Sequence, residues 1–299
     1  MAHATDAARP IALVTARAAR DLDPDLPPLF AALSKQGLGA EIVEWDDPEV
    51  DWSRFAVAVL RSTWDYHSRL SEFLNWLERV TRLTRLVNPQ NVVRWNLDKH
   101  YLAELRRAGV ATVPTAFVEP GDDADAALQK FLASYAAADR VVKPAIGAGS
   151  RDAQRYQCHE APVMLAHVRR LQNEQRSVLL QPYLDRVDTQ GETGLVYLNG
   201  VFSHAFHKGP LLQRGLASTN ELFATETITA RIPDADELEL GDRVINALPF
   251  KPLLYGRIDL IRGADGSPCV LELELAEPSL YFAYAEGAAQ RFAALLAGL

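Results

Sequence analysis

Short apolar runs and longer helical patterns alternate along the first ninety residues of the chain. The alternating segments lie at 11–15, 29–36, 40–45, 55–60, 70–80 and 86–88. The shorter ones have the length of strands, and the longer ones repeat apolar residues at helical spacing. Such alternation is typical of an α/β layered unit built on an open sheet. The pattern predicts an N-terminal α/β substrate domain over residues 1–95.

Polar residues follow the predicted strands of this unit. In an open α/β sheet a ligand binds beyond the carboxyl ends of the strands, and no glycine-rich dinucleotide fingerprint follows the first strand. A small polar ligand is therefore expected here. Arg61, or else Arg17, is a candidate for holding it, and Asp65 is a candidate partner for an ammonium group. A structural salt bridge is an equally good interpretation for each of these side chains.

The remainder of the chain divides into two further segments. Residues 96–180 carry helical patterns and an apolar strand at 140–144, and we expect them to form a central subdomain. From about residue 178 the pattern is mainly strands, with Asn199-Gly200 as a tight hairpin signal. Residues 181–299 are therefore predicted to form a C-terminal subdomain. Both would be of the α+β type.

Two predicted strands near the C-terminus carry three carboxylates and one arginine. Side chains alternate between the faces of a strand, so Arg257 and Asp259 share one face. For the same reason Glu272 and Glu274 share one face of the next strand. A hairpin folded about the turn at 263–268 places Asp259 opposite Glu272. It also places Arg257 opposite Glu274.

Clustered carboxylates of this kind either share protons or hold a cation. The predicted cluster has no nearby His or Cys, and oxygen ligands alone favour magnesium over zinc. Asp259, Glu272 and Glu274 are therefore candidate magnesium ligands. The alternative is a solvated polar face of a sheet.

A lysine and a small-residue loop upstream of this hairpin are candidates for phosphate binding. Lys143 lies at the end of an apolar strand and is followed by Gly147, Gly149 and Ser150. Exposed backbone N–H groups in such a loop would form an anion-binding concavity. The alternative is a flexible connection, because the loop lacks the Gly-Lys-Ser/Thr of a P-loop.

Two more lysines carry similar alternatives. Lys99 is expected in the first turn of a helix capped by Asn96, where the helix dipole disfavours a cation and an anionic partner would explain it. The alternative is a surface lysine beside Asp98. Lys208 follows a predicted strand and is either solvated or directed at phosphate. No Ser-His-Asp or Cys-His arrangement with a local signature is present, so covalent hydrolysis is not supported.

Composition narrows the choice of partners. The formal net charge is -8 and no Lys/Arg run is present, so neither nucleic acid nor an anionic membrane is an expected partner. No apolar run approaches the roughly 18 residues that a membrane span needs. The two cysteines are far apart and lack metal-ligand spacing, which fits a reducing compartment. A cytoplasmic location is expected, and the possibility of a homo-oligomer stays open.

Taken in chain order, these features resemble the ATP-grasp superfamily, in which two α+β subdomains clamp ATP. The matching positions are Lys99, Lys143 with the loop at 147–150, Gln181, Tyr183 and Leu184 in the segment 181–184, Glu192, Lys208, the segment 256–259, and 272–274. The resemblance implies phosphate and adenine contacts for the first two lysines. It also implies adenine recognition by the 181–184 hinge. A ribose contact is implied for Glu192, and Asp188 is the alternative residue for this contact.

The same resemblance implies roles for the residues of the C-terminal hairpin. Lys208 and Arg257 would be phosphate and transition-state cations, and the three hairpin carboxylates would bind two magnesium ions. Position 274 is often Asn in this superfamily, whereas this chain has Glu274. Ser279 is a further candidate on the substrate side.

The segments 60–67, 88–89 and 93–99 resemble the glutathione-synthetase-like branch, and the whole chain resembles the cyclo-ligases of D-cycloserine biosynthesis. This implies an ATP- and Mg-dependent carbon–nitrogen ligase acting on a small amino acid. It would activate the carboxylate of O-ureido-D-serine as an acyl phosphate and close the ring by intramolecular attack of nitrogen, with release of carbon dioxide and ammonia. The alternatives are an intermolecular carboxylate–amine ligase of the glutathione-synthetase or dipeptide type, and a non-catalytic nucleotide-binding regulatory module.

Overall fold

Three β-sheets organise the part of the chain that the computed structural model describes, residues 9–135, 138–212, 214 and 226–299. The strands are β1 (Ile11–Thr15), β2 (Ala40–Glu44), β3 (Val57–Ser62), β4 (Arg85–Val87), β5 (Ala116–Val118), β6 (Asp139–Pro144), β7 (Gln154–Gln157), β8 (Val178–Pro182), β9 (Glu192–Leu198), β10 (Val201–Lys208), β11 (Ile228–Arg231), β12 (Tyr255–Arg262) and β13 (Pro268–Glu274). The helices are α1 (Leu26–Lys35), α2 (Leu70–Val80), α3 (Gln90–Asn96), α4 (Tyr101–Arg107), α5 (Ala124–Ser134), α6 (Ala161–Asn173), α7 (Val187–Gln190), α8 (Ala235–Ala247) and α9 (Ala288–Ala297).

The N-terminal sheet is parallel, with strand order β2-β1-β3-β4. Its two central strands, β1 and β3, are buried along their whole length, as expected for a parallel sheet covered on both faces. On one face α1 packs against the C-terminal helix α9, where Leu29 and Leu33 share a core with Phe292 and Leu296. The predicted α/β unit is therefore present, and the last helix of the chain covers it.

The other two sheets are antiparallel. The central sheet has the order β5-β8-β6-β7, and the C-terminal sheet has the order β11-β10-β9-β12-β13. The predicted hairpin at Asn199-Gly200 joins β9 to β10, and both residues have positive φ (50° and 76°). The mixed α/β and α+β class expected from the sequence is what the structure has.

The predicted segments 1–95, 96–180 and 181–299 stay predictions as domain bounds, and two elements lie across them. Strand β8 continues to Pro182 within the central sheet, and α9 leaves the C-terminal sheet to pack on the N-terminal one. No helix in the described residues is long and apolar enough to cross a membrane.

The predicted cap at Asn96 is wrong. Asn96 is the last residue of α3, and α4 begins only at Tyr101, so Lys99 lies in the connection between two helices. The Asn96 amide instead binds the edge strand β13: its nitrogen donates to the Leu273 carbonyl, and its oxygen accepts from Leu275 N–H. A buried side chain that satisfies backbone groups at a strand edge contributes more here than a cap.

Candidate active site

A cavity of about 510 Å³ lies where the three sheets meet, a volume typical of small-molecule sites. Its lining includes Trp64 and Tyr66 from the N-terminal unit and Lys143 from the central sheet. The C-terminal sheet contributes Arg257 and Glu272. Each unit of the fold therefore supplies part of one site.

The C-terminal hairpin has the predicted register. Arg257 pairs with Glu274 and Asp259 pairs with Glu272 across β12 and β13. The Arg257 guanidinium donates to both oxygens of Asp259 at 2.8 Å and also contacts Glu274. It is 5% exposed, so its charge is held by two carboxylates at the cavity wall.

Lys208 is the centre of a second charged group. Its Nζ lies 3.4 Å from Glu192, 3.2 Å from Glu226 and 3.4 Å from Asp259. Burial alone would lower the pKa of Lys208, but the three carboxylates raise it well above its ordinary value. Lys208 is therefore a permanently charged cation beside the cavity.

Lys99 and Lys143 lie on the other side of the hairpin. Lys99 Nζ is 3.1 Å from Glu272 Oε1 and donates to the Gly147 carbonyl at 2.9 Å, so it joins the hairpin to the small-residue loop. Lys99 thus has an anionic partner, Glu272, although it lies between two helices and not in the first turn of one. Burial lowers the pKa of Lys143 to about 8, although Glu272 opposes the shift.

The pKa values of the three hairpin carboxylates are shifted in different directions. Burial raises the pKa of Asp259, but Arg257 and Lys208 outweigh it and leave that pKa below its usual value. Burial likewise raises the pKa of Glu272, and the two lysines, Lys99 and Lys143, lower it below the usual value. For Glu274, burial and the neighbouring carboxylates prevail over Arg257 and raise the pKa to about 7.

The carboxylates adjoin one another without forming a ready metal cage. Among residues 9–135, 138–212, 214 and 226–299, no group of three or more His, Cys, Asp or Glu side chains is arranged to hold a metal ion. Each hairpin carboxylate is turned toward a Lys or Arg instead. The donor set still consists only of carboxylate oxygens, which is the chemistry that magnesium prefers. These side chains must turn from their present cations to bind it.

The small-residue loop after Lys143 lines the cavity at Gly147, Gly149 and Ser150. Gly149 and Ser150 both have positive φ, 62° and 60°. A non-glycine residue in this region carries backbone strain, which the surrounding structure must hold. The backbone of the loop is therefore held in an unusual conformation where it lines the cavity.

The segment 181–184 forms the opposite edge. Gln181, Tyr183 and Leu184 line the cavity, and Tyr183 N–H donates to the Asp139 carbonyl. Tyr183 also donates its hydroxyl to Asp188, which receives two further bonds from Arg155. Asp188 does not line the cavity in the described part of the chain, whereas Glu192 does.

Arg61, Asp65 and Arg17 are placed differently from the expectation that they hold a substrate. None of them lines the cavity within the described residues. Arg61 is fully buried, 3.5 Å from Asp25, and donates to the Pro278 carbonyl.

The two other candidates already have partners of their own. Asp65 accepts from the Trp45 indole at 2.8 Å. The Arg17 side chain is 74% exposed and binds Glu44. The structural salt bridge, left open as the alternative, describes Arg61 and Arg17. Ser279 does line the cavity, next to Arg257, which donates to its carbonyl.

Several lining residues escaped the sequence analysis. Glu277 and Tyr66 are the most informative, because both are buried and carry polar atoms. Glu277 lies three residues after Glu274. The sequence therefore did show a further carboxylate just beyond the hairpin, which could have identified Glu277 as a site residue. Glu226 and Tyr281, which bind each other, had no such signal.

Comparison with known proteins places this site in a family. Residues 11–88 match the family model described as the N-terminal domain of D-cycloserine synthetase DcsG. The chain is 45% identical to the cycloserine biosynthesis protein DcsG of Streptomyces lavendulae over 293 residues, which cover 96% of this chain and 97% of that protein. The crystal structure of D-cycloserine synthetase DcsG superposes with a TM-score of 0.91 at 45% identity, covering 96% of this chain and 98% of that one.

More distant structures share the fold alone. The ATP-grasp ligase PsnB, solved with a minimal precursor, Mg and ADP, is 19% identical with a TM-score of 0.65 and covers 99% of each chain. The D-alanine–D-alanine ligase of Bacillus anthracis is 14% identical with a TM-score of 0.66, covering 97% of this chain and 95% of that one. The ATP-grasp fold expected from the sequence is confirmed. The chain belongs to the D-cycloserine synthetase family of ATP-grasp ligases.

Proposed function

We propose that this chain is an ATP- and magnesium-dependent cyclo-ligase that converts O-ureido-D-serine to D-cycloserine. The observation that carries the proposal is the convergence of two cations and two carboxylates on one cavity, in a chain that is 45% identical to DcsG over almost its whole length. The cations are Arg257 and Lys208 and the carboxylates are Glu272 and Glu274, while Asp259 binds both cations without lining the cavity in the described residues. The lining includes the cations Lys99, Lys143, Lys208 and Arg257 and no histidine of the described residues, which suits phosphoryl transfer.

ATP would lie between the central and C-terminal sheets. Lys99, Lys143 and the backbone of the 147–150 loop are assigned to its phosphates, since they line one end of the cavity. The backbone of the 181–184 segment is assigned to adenine, next to the apolar side chains of Val141, Leu184, Ile261 and Leu271. Glu192 is assigned to the ribose in preference to Asp188, because Asp188 is bound by Arg155 and lies away from the cavity.

Magnesium would be held by Asp259, Glu272 and Glu274, and two ions are proposed. When bound, magnesium would supply positive charge that offsets the charge of the phosphates. The protein itself supplies Arg257 and Lys208 at the cavity wall, and both are assigned to the transferred phosphoryl group. When the hairpin carboxylates turn toward the metal, Arg257 would keep the Ser279 carbonyl, and Lys208 would keep Glu192 and Glu226 as partners. Such preorganised charges stabilise the transition state without reorganisation at the moment of reaction.

The chemistry then proceeds in two stages. The substrate carboxylate takes the γ-phosphoryl group of ATP and becomes an acyl phosphate, with ADP as the leaving group. The nitrogen bonded to the side-chain oxygen attacks the acyl carbon and expels phosphate, and the carbamoyl group leaves as carbon dioxide and ammonia after water is added. Because nucleophile and electrophile belong to one molecule, a closed cavity that excludes water favours the ring.

Two expectations from the sequence stay predictions. A cytoplasmic location is predicted from the cysteine pattern, and a homo-oligomeric state is neither required nor opposed by the site.

The test is product analysis with purified protein, ATP, magnesium and O-ureido-D-serine. We expect equimolar ADP and a cyclic product with the mass of cycloserine, and Glu272→Gln under the same conditions should give neither. A linear conjugate formed only with an added amine would indicate an intermolecular ligase. Absence of ADP release with bound nucleotide would indicate a regulatory nucleotide-binding module, and either result would refute the proposal.

A further inference from the structure

The cavity contains six carboxylates in the described residues, and five of them already have a cation. Their ion-pair partners are Arg61 for Asp25, Lys208 for Glu192 and Glu226, Lys99 for Glu272, and Arg257 for Glu274. The sixth, Glu277, has no Lys, Arg or His nitrogen within 4.0 Å among the residues that the structure describes. The segment 215–225, outside those residues, contains no Lys or Arg.

Glu277 is poorly suited to stand alone, because it is buried. It is only 9% exposed, and a buried carboxylate without a counter-ion must either keep its proton or bind a cation. Burial, together with the nearby Glu274 and Glu272, raises the pKa of Glu277 to about 8, while Lys99 and the Tyr66 hydroxyl act in the opposite direction. The site is therefore short of one positive charge at this position.

The position of Glu277 indicates where that charge would come from. Its carbonyl accepts from the Trp64 indole at 3.2 Å, and Tyr66 adjoins its carboxylate. Both residues belong to the segment after β3, beyond the carboxyl end of the parallel sheet, where α/β units bind small ligands. Glu277 thus faces the junction of that crevice with the hairpin carboxylates.

We propose that Glu277 binds the α-ammonium group of the amino acid substrate, an inference that rests on the function proposed above. In an α-amino acid the nitrogen is two bonds from the carboxyl carbon, so its binding group must lie close to the cations that receive the carboxylate. Arg257 is such a cation. It donates to the carbonyl of Ser279, which lies only two residues beyond Glu277 in the chain. The substrate would thereby lie between a cation at its carboxylate and an anion at its ammonium group.

This assignment replaces Asp65 as the ammonium partner. The Asp65 carboxylate accepts from Trp45 and lies 3.5 Å from Arg69, so its charge is already compensated. It also lies outside the cavity lining of the described residues.

The experiment compares O-ureido-D-serine with its analogue in which a hydroxyl group replaces the ammonium group. ADP release is measured for wild type, Glu277→Gln, Glu277→Asp and the control Glu286→Gln, which makes the same chemical change at an exposed position. We expect Glu277→Gln to raise the KM for O-ureido-D-serine about 30-fold or more, with the KM for ATP and the magnesium activation constant unchanged. Glu286→Gln should match wild type.

The decisive readout is discrimination between the two substrates. Wild type should prefer the ammonium substrate by about 30-fold or more in kcat/KM, and Glu277→Gln should lose most of this preference, whereas a structural role would lower both values together. Glu277→Asp keeps the negative charge and should retain part of the preference for the ammonium substrate. This variant also provides the test if Glu277→Gln does not fold. An unchanged preference in both variants, or an effect on magnesium activation alone, would overturn the assignment. Wild type that releases no ADP with O-ureido-D-serine would overturn the proposed function as well.

Discussion

A buried carboxylate in the N-terminal unit holds the chain segment that follows the active-site hairpin. Asp25, at the start of α1, accepts from the backbone N–H groups of residues 280, 281 and 282 at 2.6, 2.9 and 2.8 Å. Arg61 lies 3.5 Å from Asp25 and donates to the Pro278 carbonyl at 3.0 Å. Asp25 and Arg61 are 1% and 0% exposed. The segment that carries Glu277 and Ser279 is thus anchored by these two side chains.

We predict that Asp25→Asn lowers the free energy of unfolding by about 3–5 kcal/mol. Asparagine has nearly the same shape but no charge, and only one of its two terminal groups accepts hydrogen bonds. At least one buried N–H therefore loses its acceptor, and Arg61 loses its ion-pair partner and retains the electrostatic attraction of Asp23. Breaking a buried ion pair costs about 3–5 kcal/mol, and charge-assisted hydrogen bonds contribute about 1.5–3 kcal/mol each. Both values describe interactions of the same Asp25 carboxylate, so they are not additive. We therefore take the ion-pair value as the expected loss of unfolding free energy.

Urea unfolding followed by tryptophan fluorescence measures this change. The control is Asp21→Asn, the same substitution at an exposed position of the same connection, and it should leave the unfolding free energy within about 0.5 kcal/mol of wild type. Because the anchored segment carries the proposed ammonium ligand, Asp25→Asn should also raise the KM for the amino acid more than the KM for ATP. A loss of stability below about 1 kcal/mol, at an unchanged m value, would show that the carboxylate does not hold the segment.

Three further outcomes follow from the charged site and its packing. Glu272→Gln should lower kcat for ADP release about 100-fold or more, and a loss below tenfold would contradict its assignment as a metal ligand. Gly191→Ala should lower the urea midpoint and weaken ATP binding, because the new Cβ would overlap the Lys208 carbonyl at a φ of +62°. Gly37→Ala, with φ +73° and open space around it, is the matched control and should cost only the backbone strain. Burial lowers the pKa of His167 to about 4 from 6.5, so the unfolded chain takes up a proton first and stability should fall as the pH drops from about 6.5 toward 4. Urea midpoints at pH 7 and pH 5 should differ less in His167→Gln than in wild type, and an equal difference would exclude this histidine as a cause.

The hairpin register was predictable because its cause is local. Two strands joined by a short turn must pair near that turn, and side-chain alternation then decides which residues face each other. The observed pairs, Arg257 with Glu274 and Asp259 with Glu272, follow from that rule. The hairpin at 199–200 was predictable for the same reason, since both turn positions need positive φ.

The predicted helix cap at Asn96 shows where local rules were insufficient. Asn96 has the residue type of a helix cap, and its sequence neighbours fit a helical pattern. Its partners in the structure are the backbone groups of Leu273 and Leu275, which come from a strand far along the chain. A buried strand edge that needs hydrogen bonds outweighed the local preference.

The sequence by itself determined the fold class and the charged face of the hairpin, because periodicity, turn chemistry and alternation act over a few residues. The order of the proposed ATP-site residues came from the resemblance to the ATP-grasp superfamily. Only the tertiary structure decided which charged side chains line the cavity. Arg61 is buried because α9 and the segment after the hairpin pack over β3, and Glu277 lacks a cation because no Lys or Arg of the described residues comes within 4 Å of it. A side chain's exposure and its counter-ion depend on the distant elements that pack against it, and neighbouring residues in the sequence do not specify them.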